Sequence, residues 1–110
     1  MVAEIQVKLV AEKFMSEFYF NRAQKPDQIA RQLRDLGQYR EAAHFAVFGS
    51  GEEAAEEVFD LTNNPSRQAE REQLYGRGRS VSVGDIVSVD GVDFLCGSMG
   101  WTKLVDKVAV

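Results

Sequence analysis

The run Asp85-Ile86-Val87-Ser88-Val89-Asp90-Gly91-Val92-Asp93-Phe94-Leu95-Cys96 constrains the fold more than any other stretch of the chain. Asp-Gly between two apolar-rich runs is a favoured pair for a two-residue type I′ turn, because both central residues need positive φ. That turn fixes a register. Val89 faces Val92, Val87 faces Phe94, and Cys96 lies on the same side. Ile86 and Leu95 point the other way, so the second face of the hairpin is also partly covered. Beyond it, Gly97, Gly100 and Trp101 lead into "WTKLV", which reads as a last strand.

Upstream, Ile5, Val7 and Leu9 alternate with Gln6 and Lys8, the pattern of a half-buried strand. The next stretch, "AEKFMSEFYFNRA", mixes helical spacing (Phe14, Phe18) with strand spacing (Phe18, Phe20) and is read as extended or bent, like a hairpin. "KPDQIARQLRDLG" reads as a helix: Pro26 and Asp27 suit its first turn, Ile29, Leu33 and Leu36 form one stripe, and Gly37 suits the left-handed position after its end. "YREAAHFAVF" follows as a strand. Ala43, Phe45 and Val47 make one face, and Ala42, Ala46 and Phe48 make the other apolar too, which places it inside the sheet. In "SGEEAAEEVFDLTNNP", Ser50 and Glu53 have the spacing of a capping box, Ala54, Ala55, Val58, Phe59 and Leu61 form the buried face, and Asn63-Asn64-Pro65 ends the helix.

The expected fold is therefore α+β: a single sheet with two helices packed on it, ending in a C-terminal β-hairpin or meander. Residues 1–110 make one domain, with a β-α-β-α half (1–64), a polar loop (65–80) in which Ala69 to Leu74 fit a helical turn, and a hairpin half (81–110).

Charge is unevenly distributed along this frame. The net charge is −4, so the molecule as a whole does not attract nucleic acid. Residues 1–64 carry seven basic and eleven acidic side chains, and residues 81–110 carry two lysines against four aspartates. Only 65–80 is basic, with Arg67, Arg71, Arg77 and Arg79 against Glu70 and Glu72. A single cysteine rules out an internal disulfide and a multi-cysteine zinc site, and no metal or cofactor is expected. No secretory signal and no run of about 20 apolar residues is present, so the expected setting is the cytoplasm, away from membranes.

The segment "RSVSVGDIVSVDGVDFLCGSMGWTKL", preceded by "EEVFDLTNNP", resembles the YodL-like module and small proteins of similar layout in bacteriophages and mobile elements. The residues that carry the resemblance are Arg79, Ser80, Ser82, Val83, Gly84, Asp85, Phe94, Ser98, Gly100 and Trp101. It covers the C-terminal half, and implies a bacterial or phage-infected cell without supplying catalytic residues.

Four groups of residues are candidates for chemistry. Ser82, Gly84 and Asp85 are turn residues by type, and with Arg79 and Ser80 they also fit a polar site at a strand edge. Arg67, Arg71, Arg77 and Arg79, with Tyr75 as a stacking ring, fit a phosphate-backbone patch, although "YGRGRS" is neither a GxxxxGK[ST] nor a GxGxxG loop. Cys96 and His44 fit a nucleophile and base, or else a small core residue and a satisfied buried imidazole. Glu52, Glu56 and Asp60 align at i, i+4, i+8, flanked by Glu53 and Glu57, with no basic residue between 51 and 61. Such a face is either solvated or a docking surface for a basic partner. The combined expectation is a non-catalytic protein that binds another protein through Glu52, Glu53, Glu56, Glu57 and Asp60, with Arg79, Ser82, Asp85 and Trp101 as further contacts. The alternative is a nucleic-acid-associated protein using the arginine loop.

Overall fold

The computed structural model describes residues 1–105. Five strands, β1 (Val2–Val10), β2 (Tyr39–Phe48), β3 (Ile86–Val89), β4 (Val92–Gly97) and β5 (Gly100–Lys103), form one antiparallel sheet in the order β2-β1-β3-β4-β5. The helices are α1 (Glu17–Phe20), α2 (Pro26–Asp35), α3 (Gly51–Asn63) and α4 (Gln68–Leu74). The fold is α+β, as expected.

The hairpin has the register its turn residues dictate: Val89 pairs with Val92, Val87 with Phe94 and Ile86 with Leu95. Asp90 and Gly91 both have positive φ, 49° and 83°. Asp90 also joins the turn to β1, its carboxylate accepting from the Glu4 N–H at 2.8 Å while its own N–H donates to the Glu4 carbonyl.

β2 and β3 flank β1 and both run antiparallel to it, so the connection between them must cross β1. It does so through α3, which covers one face. Ala54, Ala55 and Val58 pack there on Ala3, Ile5, Val7, Leu9, Val87, Val89 and Cys96. The opposite face is covered by the β1–β2 connection, where Ala30 meets Ile86, Leu95 and Leu104, and Ile29 and Leu33 meet Val10. Each fully buried Val, Ile or Leu contributes about 1.5–3 kcal/mol, so the two faces together account for most of the folding drive.

Several local expectations give way. Within residues 11–23 two short helical segments replace the expected extended chain: a 3₁₀ turn spans Glu12–Phe14 and α1 follows at Glu17–Phe20. Helical spacing brings Phe14, Met15 and Phe18 together against Val10, Ile29, Leu33 and Tyr39, and that burial outweighs the alternation of Phe18 and Phe20. Phe20 is exposed. α2 stops at Asp35, so Leu36 lies at its C-cap, exposed, and Ala30 completes the stripe instead. β2 is an edge strand, not an interior one, because Ala46 and Phe48 on its second face lie open to solvent. Ser50 is the N-cap of α3, yet its side chain makes no capping hydrogen bond, so the capping box does not form. The helical turn expected over Ala69–Leu74 forms as α4, but a 3₁₀ turn at Pro65–Arg67 precedes it, so less of 65–80 is loop than expected. Among the described residues no helix is long and apolar enough to cross a membrane.

Candidate functional site

Polar side chains gather in two places, and they are built in opposite ways. The first lies where β1 ends and β3 begins. Asp85 is 0% exposed. Its carboxylate accepts from the Val10 N–H (2.9 Å), the Ser82 N–H (2.7 Å), Arg79 Nη1 (2.7 Å) and Arg79 Nη2 (2.9 Å). Those four donors fill the lone-pair sites of both oxygens. Arg79 Nη2 also donates to the Val10 carbonyl at 3.0 Å, so one fork ties the end of β1 to the start of β3. The two tyrosines beside it are donors too: Tyr75 Oη to the Arg79 carbonyl, and Tyr39 Oη to the Gly84 carbonyl at 2.7 Å. Burial pushes both phenols above their ordinary value, with the Asp85 charge adding to the effect, so both stay protonated as donors.

Gly84 completes this knot. Its φ is +97°, and a Cβ there would sit 2.6 Å from the Phe18 ring. The expected exposed edge from Arg79 to Asp85 is therefore absent. Asp85 is buried, Ser82 contributes a backbone N–H that closes a turn, and no acceptor capacity is left for a substrate.

The arginine loop turns inward in the same way. Arg71 donates from Nε to the Thr62 carbonyl (3.2 Å), from Nη1 to Gly76 (2.7 Å) and from Nη2 to Gly78 (2.5 Å), and its guanidinium lies 5.1 Å from the Tyr75 ring centre. Arg67 is gripped by Glu57 (2.5 Å), Asp60 (2.9 Å) and Glu70 (2.9 Å). These hydrogen bonds, from Glu70 first, push the guanidinium further above its ordinary value and hold Glu70 below the usual carboxylate range. Of the four arginines, only Arg77 is exposed with no hydrogen bond or ion pair among the described residues. Tyr75 is buried, so it offers no ring for stacking. The structure does not assemble Arg67, Arg71, Tyr75, Arg77 and Arg79 into a phosphate-binding face.

Cys96 and His44 are also separated. They lie on β4 and β2, with β1 and β3 between, so the strands alone are about 14 Å apart, and the register offsets the two residues further along the sheet. Cys96 is buried, and burial pushes its thiol up to about 12, where it behaves as a small apolar residue. His44 is not buried: it lies on the outer strand, 3.9 Å from the Glu4 carboxylate.

The second polar centre is the outer face of α3. Glu52, Glu53 and Glu56 are exposed, and Glu57 and Asp60 are partly so. Glu56 accepts from Trp101 Nε1 at 2.7 Å, and the Trp101 ring stands edge-on to Phe59 with centroids 6.4 Å apart. Trp101 is thus half-buried and braces the helix against β5. On the other flank, Glu53, Glu56, Glu57 and Asp60 line an open cleft of about 450 Å³ with Phe48, which is 80% exposed. Among the described residues, this surface with Glu70 carries six carboxylates and one cation, Arg67, a net of −5. Phe48 was missed in the sequence because an apolar residue on both alternations of a strand reads as interior. The edge position of β2 depends on β3 taking the other side of β1, which alternation within β2 does not encode.

No protein-family model, no curated protein and no solved structure matches this chain.

Proposed function

We propose that the protein is a non-catalytic binding protein whose outer α3 face receives a basic partner protein. The observation that carries this is a large exposed ring, Phe48, at the wall of a cleft lined by four carboxylates. A solvated charged face needs no such ring, whereas an interface uses an aromatic anchor inside a charged surround. Glu52 and Glu53 steer the partner, Glu56 is held ready by Trp101, and Phe48 supplies apolar contact. The resemblance of the C-terminal half to the YodL-like module favours a bacterial cytoplasm, with the gene on a phage or mobile element and a host protein as target. A target that itself binds nucleic acid has the basic surface this face requires.

A photo-crosslinking side chain at Phe48, in bacterial cells, is expected to trap a basic protein. The double reversal Glu53→Lys/Glu57→Lys is expected to abolish that product. Identical crosslinks from the reversed variant overturn the proposal, as does salt-sensitive binding to DNA or RNA that disappears on Arg77→Ala.

A further inference from the structure

The sheet has two edges, and they differ. β5 is four residues long and carries Lys103, both of which discourage pairing with another strand. β2 is ten residues long, with no Lys or Pro, and no described strand lies beyond it. Its one irregularity is a bulge: Val7 pairs with Ala43 and Lys8 with Glu41, leaving Ala42 without a partner. From Ala43 to Phe48 the strand is regular.

Which backbone groups face outward follows from the ladder. The Gly49 N–H donates to the Met1 carbonyl, so that pair is hydrogen-bonded. By antiparallel alternation Val47, Phe45 and Ala43 also face β1, while Phe48, Ala46 and His44 turn their N–H and C=O groups to the free edge. The Asp90 N–H to Glu4 carbonyl bond agrees, since it gives the even-numbered residues of β1 to β3.

We infer that β2 accepts an extended, lysine- or arginine-bearing segment of the partner as a sixth strand, paired to His44, Ala46 and Phe48 beside the acidic cleft of α3. This rests on the reading of α3 as a docking face and specifies how it is used. Charge selects the occupant. A second copy pairing β2 with β2 would bring two sets of Glu53, Glu56, Glu57 and Asp60 to one junction, and like charges there oppose it. A basic strand places alternate side chains over those carboxylates, while its backbone satisfies the open edge.

The test uses a blocked peptide alternating lysine with valine and threonine, and the same peptide N-methylated at alternate residues. N-methylation removes edge hydrogen bonds without changing charge, and it leaves the protein untouched. The parent peptide is expected to bind, to slow amide exchange at His44, Ala46 and Phe48, and to lose at least tenfold in affinity on N-methylation. Equal binding of both peptides with free exchange at those amides overturns strand addition and leaves α3 as a purely electrostatic surface. No binding of either peptide also overturns it, while the α3 reading is judged separately by the Phe48 crosslinks. Slow exchange at the same amides without peptide, together with a dimer in sedimentation, overturns it in favour of a second copy.

Discussion

Asp85 and Glu53 are both carboxylates beside a chain turn, yet their surroundings give them opposite roles. Asp85 has four donors within 2.9 Å and no exposed surface. Glu53 is exposed at the start of α3, where the capping bond that would have employed it is absent. A buried carboxylate is tolerated only when fully paired, and then its loss strands every partner. An exposed one is screened by water and salt, so its presence costs the fold little and leaves it available to another molecule. The difference marks which acidic residues hold the fold and which are free to act.

The largest test removes the buried member. Asp85→Ala leaves the Arg79 guanidinium unpaired and the Val10 N–H without its acceptor, and is expected to cost about 3–5 kcal/mol in urea unfolding. Arg79→Lys keeps the charge but cannot form the fork, so it should fall below Asp85→Ala in cost and above substitutions of the exposed glutamates on α3. A loss under 1 kcal/mol for Asp85→Ala would mean the knot does not hold β1 to β3.

Next is the residue that lets the turn close on Phe18. Gly84→Ala combines a positive φ with a Cβ at 2.6 Å from the ring. Strain and overpacking together are expected to cost about 3 kcal/mol. The companion Phe18→Ala/Gly84→Ala variant removes the clash but not the strain. It should therefore show coupling between the two sites in a double-mutant cycle.

Asp93 stands between the two extremes. Burial alone would raise its pKa, but hydrogen bonds from Lys8 (3.1 Å) and Arg34 (3.0 Å) outweigh that and hold it below the usual carboxylate range. Because the folded value is the lower one, its stabilisation is complete above the unfolded value of about 3.9 and is lost as pH falls through the folded value. Asp93→Asn should cost about 2 kcal/mol at pH 7 and flatten the acid limb of the stability curve below about pH 4. An acid limb identical to that of the wild type would remove Asp93 from this account.

The same contrast explains what could be read from the chain. The hairpin was legible because Asp90-Gly91 fixes register locally, and α3 because five apolar residues share one helical face. The edge position of β2 was not, since strand order depends on where α3 lands, a long-range outcome that alternation does not encode. Residues 11–23 do not reveal their helical turns because Phe14, Met15 and Phe18 pack with Ile29 and Leu33 of α2, a later segment of the chain. At the site, the acidic row was visible as spacing. Arg67 reads as part of a basic patch because two of its carboxylate partners, Glu57 and Asp60, lie ten and seven residues earlier, across the break that Pro65 makes. The Arg79–Asp85 pair looked like a surface edge for a related reason: nothing local announces that Val10, 75 residues earlier, donates to Asp85.

The smallest stability effect belongs to the face proposed to bind. Glu52→Gln and Glu53→Gln remove exposed charges near the N-terminus of α3, where they complement the helix dipole, so each is expected to change stability by no more than about 0.5 kcal/mol. Glu56→Gln should behave alike, because a glutamine oxygen still accepts from Trp101 Nε1. Combined, the three substitutions relieve like-charge crowding with Glu57 and Asp60, which offsets part of the dipole loss. Thermal unfolding should place the triple variant within a few degrees of the wild type, while its association rate with a basic partner falls at least tenfold at low salt and much less at high salt. A triple variant that unfolds like Asp85→Ala would make these glutamates structural, and the distinction between the two acidic regions would fail.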